Sequence, residues 1–196
     1  MPPSHMCFIA GKTVLLRPLI ETDVEGSYPQ WFNDAMVCHG NSHHVYPYVH
    51  KQAIDFIQSL PSKKDALVLA IINKSNGIHI GNISLQRINF IYRSAELAII
   101  IGEKTDWGKG FGREASYLLI SHGFETLNLH RIECGTFKNN IGMQKIALSL
   151  GMQLEGTRRQ AVFKEGRYYD VLEYGILRDE FETIESKKYN KNDIPG

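Results

Sequence analysis

Apolar residues recur along the first half of the chain with two different periods. Four short runs rich in Ile, Leu and Val indicate strands, and two segments with apolar residues three and four positions apart indicate helices. An Asn-Gly turn signal within residues 74–77 joins two of the strands into a hairpin. The stretch 33–48, rich in Asn, His, Tyr and Pro, follows neither period and predicts a loop over a pocket. The predicted strands are 13–16, 66–72, 78–88 and 95–101, and the predicted helices are 21–32 and 50–60.

The second half alternates between the two periods more regularly. It predicts a buried helix over 113–128, a strand over 131–136, a helix through Met143 and Ala147 that ends at Gly151, and a closing hairpin. The two strands of that hairpin are 153–163 and 168–177. The order predicts an α+β fold, a mixed and mostly antiparallel sheet of about seven strands flanked by about four helices. We expect one domain over 13–178, an N-terminal arm or cloning remnant over 1–12, and a polar C-terminal tail over 179–196.

Composition narrows the class of partner. The 196 residues are 43% hydrophobic, and 22 Lys and Arg balance 21 Asp and Glu to a net charge of +1. A nearly neutral chain without a basic block predicts no nucleic acid partner, and no apolar run has the length of about 20 residues that a membrane helix needs. The three cysteines are widely spaced and the N-terminus has no signal-peptide pattern, which together favour a reducing cytoplasm. Composition does not predict an oligomeric state.

The strongest chemical signal is the segment 107–114, Trp-Gly-Lys-Gly-Phe-Gly-Arg-Glu, which lies between a predicted strand and a predicted buried helix. Glycines allow a ligand to approach the backbone closely, and a helix N-terminus offers free N–H groups, so the segment suits a pyrophosphate. The spacing does not match a P-loop. A dinucleotide site stays open, because residues 110–115 match G-x-G-x-x-A and Glu133 follows, although too few α/β units come after it. A coenzyme A site is the third candidate.

Several segments in a fixed order resemble the GNAT superfamily of acetyl-CoA-dependent N-acetyltransferases, and most closely its RimJ/RimL-like branch. The resemblance rests on Glu-Leu-Ala-Ile-Ile-Ile at 96–101, Trp-Gly-Lys-Gly-Phe-Gly-Arg-Glu-Ala at 107–115, Asn140 at a helix start and Leu-Gly-Met at 150–152. It extends over almost the whole chain, from Val-Leu-Leu-Arg-Pro at 14–18 to 170–177. The resemblance implies the superfamily's fold and acetyl-CoA as the cosubstrate.

The resemblance also implies where acetyl-CoA binds. Main-chain amides of the glycine segment would hold the pyrophosphate, the strand ending at Ile101 would pair with the pantetheine arm, and the strand 131–136 would splay away to admit it. Asn140 would contact the arm, although Asn is also a common helix N-cap. The predicted cofactor-binding residues are Ile99, Ile101, Gly108, Lys109, Gly110, Phe111, Gly112, Arg113 and Asn140.

The acid–base residues are less clearly marked. In some GNAT enzymes a glutamate at the position of Glu96 is the general base, while its alternative role is a strand-end ion pair with Arg93 or Arg87. Glu103 is a second candidate, because RimJ/RimL-like relatives often carry an acidic residue there. Many relatives place a Ser or Tyr proton donor on the following helix, where this chain has Met143 and Ala147, so no general acid is assigned.

Aromatic and polar residues supply the predicted acceptor pocket, with Trp31, Tyr46, Arg87 and Tyr168 as its candidate residues. The adjacent pair His43 and His44 has no completing carboxylate, so we predict no metal. The expected reaction is direct acetyl transfer to a primary amine, first of all a protein N-terminal amine such as that of a ribosomal protein. The alternatives are a small amine (an amino sugar nucleotide, a polyamine or an aminoglycoside) and a non-catalytic acyl-CoA-binding module.

Overall fold

The computed structural model describes residues 7–184, which form one eight-stranded sheet with helices on both faces. The strand order is β1-β2-β3-β4-β5-β6-β8-β7, and every neighbouring pair is antiparallel except β5 and β6. The strands are β1 (Ile9–Ala10), β2 (Val14–Pro18), β3 (Leu67–Asn73), β4 (His79–Asn89), β5 (Ser94–Ile101), β6 (Arg131–Phe137), β7 (Gln153–Lys164) and β8 (Arg167–Leu177). The α+β fold with a mixed, mostly antiparallel sheet is confirmed.

The helices are α1 (Tyr28–Trp31), α2 (Ala35–Cys38), α3 (His50–Ser59), α4 (Phe111–Glu125) and α5 (Ile141–Ser149). Three short 3-10 turns cover Glu21–Glu25, Leu60–Ser62 and Lys104–Asp106. Residues 178–184 are also helical. The long helix predicted over 21–32 is wrong, because the chain breaks at Gly26 and restarts around Pro29, which occupies the first turn of α1.

Two apolar cores lie on opposite faces of the sheet. Odd-numbered residues of β5, such as Leu97, join the larger core, in which α4 contributes the fully buried Leu119 and Ile120. Even-numbered residues face the other side, where Ile100 packs with α1 and α3 around Tyr28. Because side chains alternate along a strand, each residue of β5 belongs to one face, and this decides which of them can reach a given pocket.

The domain is longer at both ends than the sequence predicted. Ile9 and Ala10 pair with β2 as an extra edge strand inside the predicted arm. Phe181 is buried and packs on the ring of Phe124, so the start of the predicted polar tail belongs to the core. Of the predicted arm and tail, residues 1–6 and 185–196 lie outside the described residues.

The parallel pair β5–β6 forms the opening that matters for function. The two strands are paired only from Ser94 to Glu96 on β5 and from Arg131 to Glu133 on β6, and beyond Glu96 and Glu133 they separate. The rest of β5 stays bonded to β4, and β6 stays bonded to β8. The separation therefore leaves one edge of β5 without a strand partner in the middle of the sheet, as the resemblance implied.

Candidate active site

The glycine segment wraps the N-terminus of α4. Gly108 and Gly110 have φ values of 74° and 87°, a left-handed conformation that glycine adopts without strain, and Gly110 is the N-cap of α4. The first backbone bond into the helix is donated by Glu114 to the Gly110 carbonyl (3.0 Å), so the N–H groups of residues 111–113 have no partner within the helix. Fifteen residues of α4 direct the positive end of the helix dipole at this point. The arrangement suits an anionic group such as a pyrophosphate.

Two side chains fix this segment to the rest of the domain. Trp107 donates its indole N–H to the Ile101 carbonyl (2.8 Å), which ties the segment to the end of β5. Glu114 accepts hydrogen bonds from the backbone N–H of Thr13 (3.1 Å) and from the Thr13 hydroxyl, which ties α4 to the start of β2. The Trp and Glu of the motif therefore position the glycines.

A cavity of about 620 Å³ begins at the glycine segment and runs between the end of β5 and α5; we call it the glycine-loop cavity. Apolar residues of β5 and α5 line it, and Arg113 and Lys145 add positive charge. Its lining includes most of the predicted cofactor residues, namely Ile99, Ile101, Gly108, Gly110, Phe111, Gly112, Arg113 and Asn140. Lys109 does not line the cavity and instead pairs with Asp106 (3.0 Å).

The groups that line the glycine-loop cavity fit coenzyme A. A pyrophosphate needs free N–H groups and nearby cations, which the start of α4, Arg113 and Lys145 provide. The pantetheine arm carries amide groups on a narrow chain, which match the unpartnered edge of β5 beside the apolar Ile99 and Ile146. Lys145 was missed by the sequence analysis, because nothing local distinguishes it from an ordinary exposed lysine of α5.

The side chain of Asn140 caps α5 and also holds the segment around Gly40. Its Oδ1 accepts from the Met143 N–H (3.1 Å) as the N-cap of α5, and its Nδ2 donates to the Gly40 carbonyl (3.0 Å). A Cβ atom on Gly40 would lie 2.8 Å from Asn140, so only glycine allows this contact. The side chain thus joins α5 to the segment that covers the sheet.

A second cavity of about 490 Å³ lies on the other face of the sheet; we call it the sheet cavity. Its floor is formed by β4 and β5, and aromatic residues of α1 and α3 and the segment 40–43 enclose it. Both cavities share Gly40, Asn41, Ile99, Ile100, Asn140 and Met143, so they meet where β5 and β6 separate. A molecule that donates a group from one cavity and a molecule that accepts it in the other would meet at this junction.

Glu96 is the one acidic residue among the described residues that line the sheet cavity. Its Oε2 pairs with Arg87 Nη2 at 2.5 Å, and its side chain is 24% exposed. Arg87 has a φ of 50° at an irregularity of β4, which places it beside Glu96 at the exposed end of the strand pair. Glu96 therefore forms the ion pair that was its alternative role, with Arg87, and also lines the cavity, whereas Arg93 bonds Asn128 instead.

Glu103 lies outside both cavities. Its Oε1 accepts the indole N–H of Trp31 (3.1 Å), and Trp31 itself is buried against the ring of His79. Trp31 lines neither cavity, although it was predicted to contact the acceptor. The aromatic residues that line the sheet cavity instead are Tyr28, Phe32, Phe56 and Phe137.

Two further candidate acceptor residues face solvent. Tyr46 is 83% exposed, and Tyr168 is 63% exposed with its ring against Phe163 on the closing hairpin. Neither lines a cavity. Proximity in sequence to other aromatics suggested them, but the fold turns both toward solvent.

A buried network of polar side chains lies beneath the sheet cavity. Arg17 pairs with Asp23, and His79 lies 3.5 Å from Asp23 and 2.8 Å from the Oδ1 of Asn82, which lines the cavity. Burial lowers the pKa of His79 against the opposing effect of Asp23, so the ring is neutral near pH 7. Its Nε2 also lies 3.0 Å from the Gly81 carbonyl, an acceptor, and therefore carries the proton. This network fixes the amide of Asn82 at the cavity floor.

His43 also lines the sheet cavity. Burial, and then the positive charge of Lys164, lower the pKa of His43, so its imidazole is neutral near pH 7. The sheet cavity therefore offers an acceptor one carboxylate, one neutral imidazole and several neutral polar groups. Neither Met143, which lines both cavities, nor the buried Ala147 carries a proton to donate.

Other site types find little support in residues 7–184. No group of three or more His, Cys, Asp and Glu side chains there has the arrangement of a metal site. None of the helices within that range has the length and apolar character to span a membrane.

Comparison with known families agrees with this geometry. A family model described as Acetyltransferase (GNAT) domain matches residues 13–153, well over half of the chain. The chain belongs to the GNAT acetyltransferase family. This acetyltransferase takes its acetyl group from acetyl-CoA. The family therefore argues against a dinucleotide site at the glycine segment and against a non-catalytic acyl-CoA-binding module.

Individual relatives cover much of the domain. An uncharacterized N-acetyltransferase, p20 of Bacillus licheniformis, is 34% identical over 131 residues, 67% of this chain and 73% of that protein. A spermidine N(1)-acetyltransferase of Vibrio cholerae is 35% identical over 102 residues, 52% of this chain and 58% of that protein. The crystal structure of spermidine N-acetyltransferase from Vibrio cholerae with CoA and spermine superposes with a TM-score of 0.79 at 24% identity, covering 88% of this chain and 99% of that one. That superposition supports the fold.

Proposed function

We propose that this acetyltransferase acetylates a small primary monoamine that enters the sheet cavity while acetyl-CoA occupies the glycine-loop cavity. The observation that carries the proposal is the junction of the two cavities at Ile99 and Ile100, with Glu96 on the acceptor side. Both substrates would be bound together, and the acetyl group would pass directly between them.

The chemistry assigned to Glu96 is that of a general base. Acetyl-CoA supplies an acetyl thioester, whose carbonyl carbon the amine nitrogen attacks. The nitrogen gives up one proton to the Glu96 carboxylate, directly or through one water, as the C–S bond breaks. The thiolate leaves and is protonated from solvent, since Met143 has no proton to give. The products are the N-acetyl amine and coenzyme A.

The charge of the sheet cavity favours a monoamine over a polyamine. Among the described residues that line it, Glu96 is the one acidic side chain, and Arg87 already engages one oxygen of that carboxylate. A polyamine such as spermidine carries several positive charges near pH 7, and the additional ones would enter a cavity without further carboxylates. The aromatic walls formed by Tyr28, Phe32 and Phe56 favour a substrate with an apolar body next to its amine.

Two other acceptors have support of their own. The Vibrio cholerae relative acts on spermidine by its name, which supports a polyamine. The RimJ/RimL-like pattern of residues 107–115 supports a protein N-terminal amine. Both stay predictions and serve as competing arms of the test.

The test is the release of free coenzyme A from acetyl-CoA in the presence of an arylalkyl monoamine, an amino sugar, spermidine or an N-terminal ribosomal-protein peptide. We expect kcat/KM for the best monoamine to exceed that for spermidine and for the peptide by about tenfold or more, because specificity is a difference of affinities. Highest efficiency with spermidine or with the peptide would refute the monoamine proposal. Binding of coenzyme A without acetyl transfer to any amine would refute the proposed reaction itself.

A further inference from the structure

The closing hairpin holds a buried cation against the segment 38–43, which covers both cavities. Lys164 at the end of β7 is only 8% exposed. Its Nζ donates hydrogen bonds to three main-chain carbonyls, those of Cys38 (2.6 Å), Asn41 (2.8 Å) and His43 (2.8 Å). An ammonium group has three N–H donors, so all of them are used by carbonyls of one short segment.

No carboxylate of residues 7–184 forms a salt bridge with Lys164. The next residue, Glu165, pairs with His39 at 3.5 Å and gives the hairpin tip a second, exposed contact with the same segment. Charge-assisted hydrogen bonds are stronger than neutral ones, particularly where water is excluded. Lys164 is therefore a strong anchor of the segment 38–43, which Asn140 also holds through its hydrogen bond to the Gly40 carbonyl.

The held segment borders both cavities. Gly40 and Asn41 line the glycine-loop cavity and the sheet cavity, and His43 lines the sheet cavity with its ring 4.7 Å from the ring of Phe32. Lys164 itself lines neither cavity. It can therefore influence coenzyme A only through the position of this segment, and the amine also through its charge, which lowers the pKa of His43.

We propose that Lys164 is a positioning residue that holds the segment 38–43 in the conformation able to bind acetyl-CoA and the amine. This inference rests on the proposed function of the two cavities. When a binding-competent conformation is only a fraction of the population, the apparent dissociation constant rises by the inverse of that fraction. Because one segment borders both cavities, loss of Lys164 weakens both substrates by a similar factor. At saturation the competent conformation is restored, so kcat changes little.

The variant is Lys164→Met, which keeps the length of the side chain and removes its charge and donors. We expect backbone amide exchange in the peptide covering 38–43 to become about tenfold faster or more. The Kd of coenzyme A, and the KM of the amine measured at acetyl-CoA concentrations well below saturation, should rise by the same factor. The expected kcat stays within about threefold of wild type. Lys138→Met is the matched control, since Lys138 is 63% exposed and pairs with Asp170 at 3.2 Å; it should leave all four quantities unchanged.

Three results would overturn the proposal: unchanged exchange in 38–43, a change in one substrate constant without the other, or a loss confined to kcat. If Lys164→Met does not fold, Lys164→Arg provides the test, because its planar guanidinium keeps the charge but does not match three converging carbonyls. It should raise both constants in parallel by a smaller factor, and wild-type constants would overturn the proposal. Amide exchange and the Kd of coenzyme A are measured without turnover. They therefore test the role of Lys164 separately from the proposed acetylation of an amine.

Discussion

Substitution of Gly112 by leucine should block acetyl-CoA without unfolding the domain. A Cβ atom at this position would lie 3.1 Å from Ile146 Cδ1, 3.5 Å from Ile101 Cγ1 and 3.6 Å from Ile99 Cδ1, all residues that line the glycine-loop cavity. The larger leucine side chain would therefore occupy the gap between β5 and α5. Gly112 lies within the first turn of α4 and does not have a positive φ, so the backbone accepts a side chain there.

The expected loss of coenzyme A affinity follows from the free energy needed to fit the ligand and the leucine side chain into the same gap. Forcing additional methylenes into a packed site costs about 1–3 kcal/mol, which corresponds to a rise in Kd of about 5- to 150-fold. Replacing a helical glycine recovers up to about 1 kcal/mol of helix propensity, so the free energy of unfolding should change little. Isothermal titration with coenzyme A and thermal unfolding measure the two quantities.

Gly123→Ala in the same helix is the matched control. Its Cβ would lie 2.9 Å from Ile132 Cδ1 and 3.0 Å from Leu85 Cδ1, inside the larger core and away from both cavities. We expect this variant to lower the melting temperature and to leave the Kd of coenzyme A unchanged. Wild-type affinity in Gly112→Leu, or a collapse of its stability, would refute the placement of acetyl-CoA along β5.

Two further predictions concern stability and reactivity. Burial opposes ionisation of Asp23, but hydrogen bonds from Arg17 and a backbone amide outweigh it and lower its pKa below the ordinary 3.8, so its contribution is present above that pH and is lost as the pH falls through the lower, folded pKa. Asp23→Asn should therefore reduce the free energy of unfolding in urea by about 3–5 kcal/mol at pH 7 and by less in acid; an equal loss at pH 7 and in strong acid would contradict the ion pair. Burial raises the pKa of Cys134 to about 12 and also raises that of Cys38, whereas Cys7 is exposed, so a thiol reagent at pH 8 should label one cysteine in the native enzyme and three after denaturation. Rapid native labelling of a second thiol would contradict the buried positions.

Local patterns predicted much of the fold. The β3–β4 hairpin follows from its Asn-Gly turn, and α4 follows from a wide apolar stripe beginning just after a cluster of glycines. The helical start of the predicted tail had a signal that was overlooked, because Phe181 and Ile184 are three positions apart, as on one helix face, and both pack against the core. The two-residue strand Ile9–Ala10 is too short for any periodicity to reveal.

The donor side of the site was more predictable than the acceptor side. Pyrophosphate recognition uses backbone amides in a contiguous segment, which leaves a readable glycine pattern at Gly108, Gly110 and Gly112. The sheet cavity, which we propose for the acceptor, is assembled from eight separate segments. Aromatic composition near Trp31 therefore pointed to the right region, but Trp31 itself does not line the cavity. Lys164 could not have been predicted, because its partners lie more than 120 positions earlier in the chain.

The most direct test of the central claim is the rate of acetyl transfer by Glu96→Gln, measured with saturating acetyl-CoA and the best monoamine acceptor. General base assistance is typically worth about a hundred- to ten-thousandfold, so the rate at neutral pH should fall on that scale while the Kd of coenzyme A is unchanged. Part of the loss should be recovered at high pH as free amine accumulates. Glu103→Gln, which alters a contact with buried Trp31 outside both cavities, should keep nearly the wild-type rate. A wild-type rate in Glu96→Gln, or a large loss in Glu103→Gln alone, would contradict the assignment of Glu96 as the base.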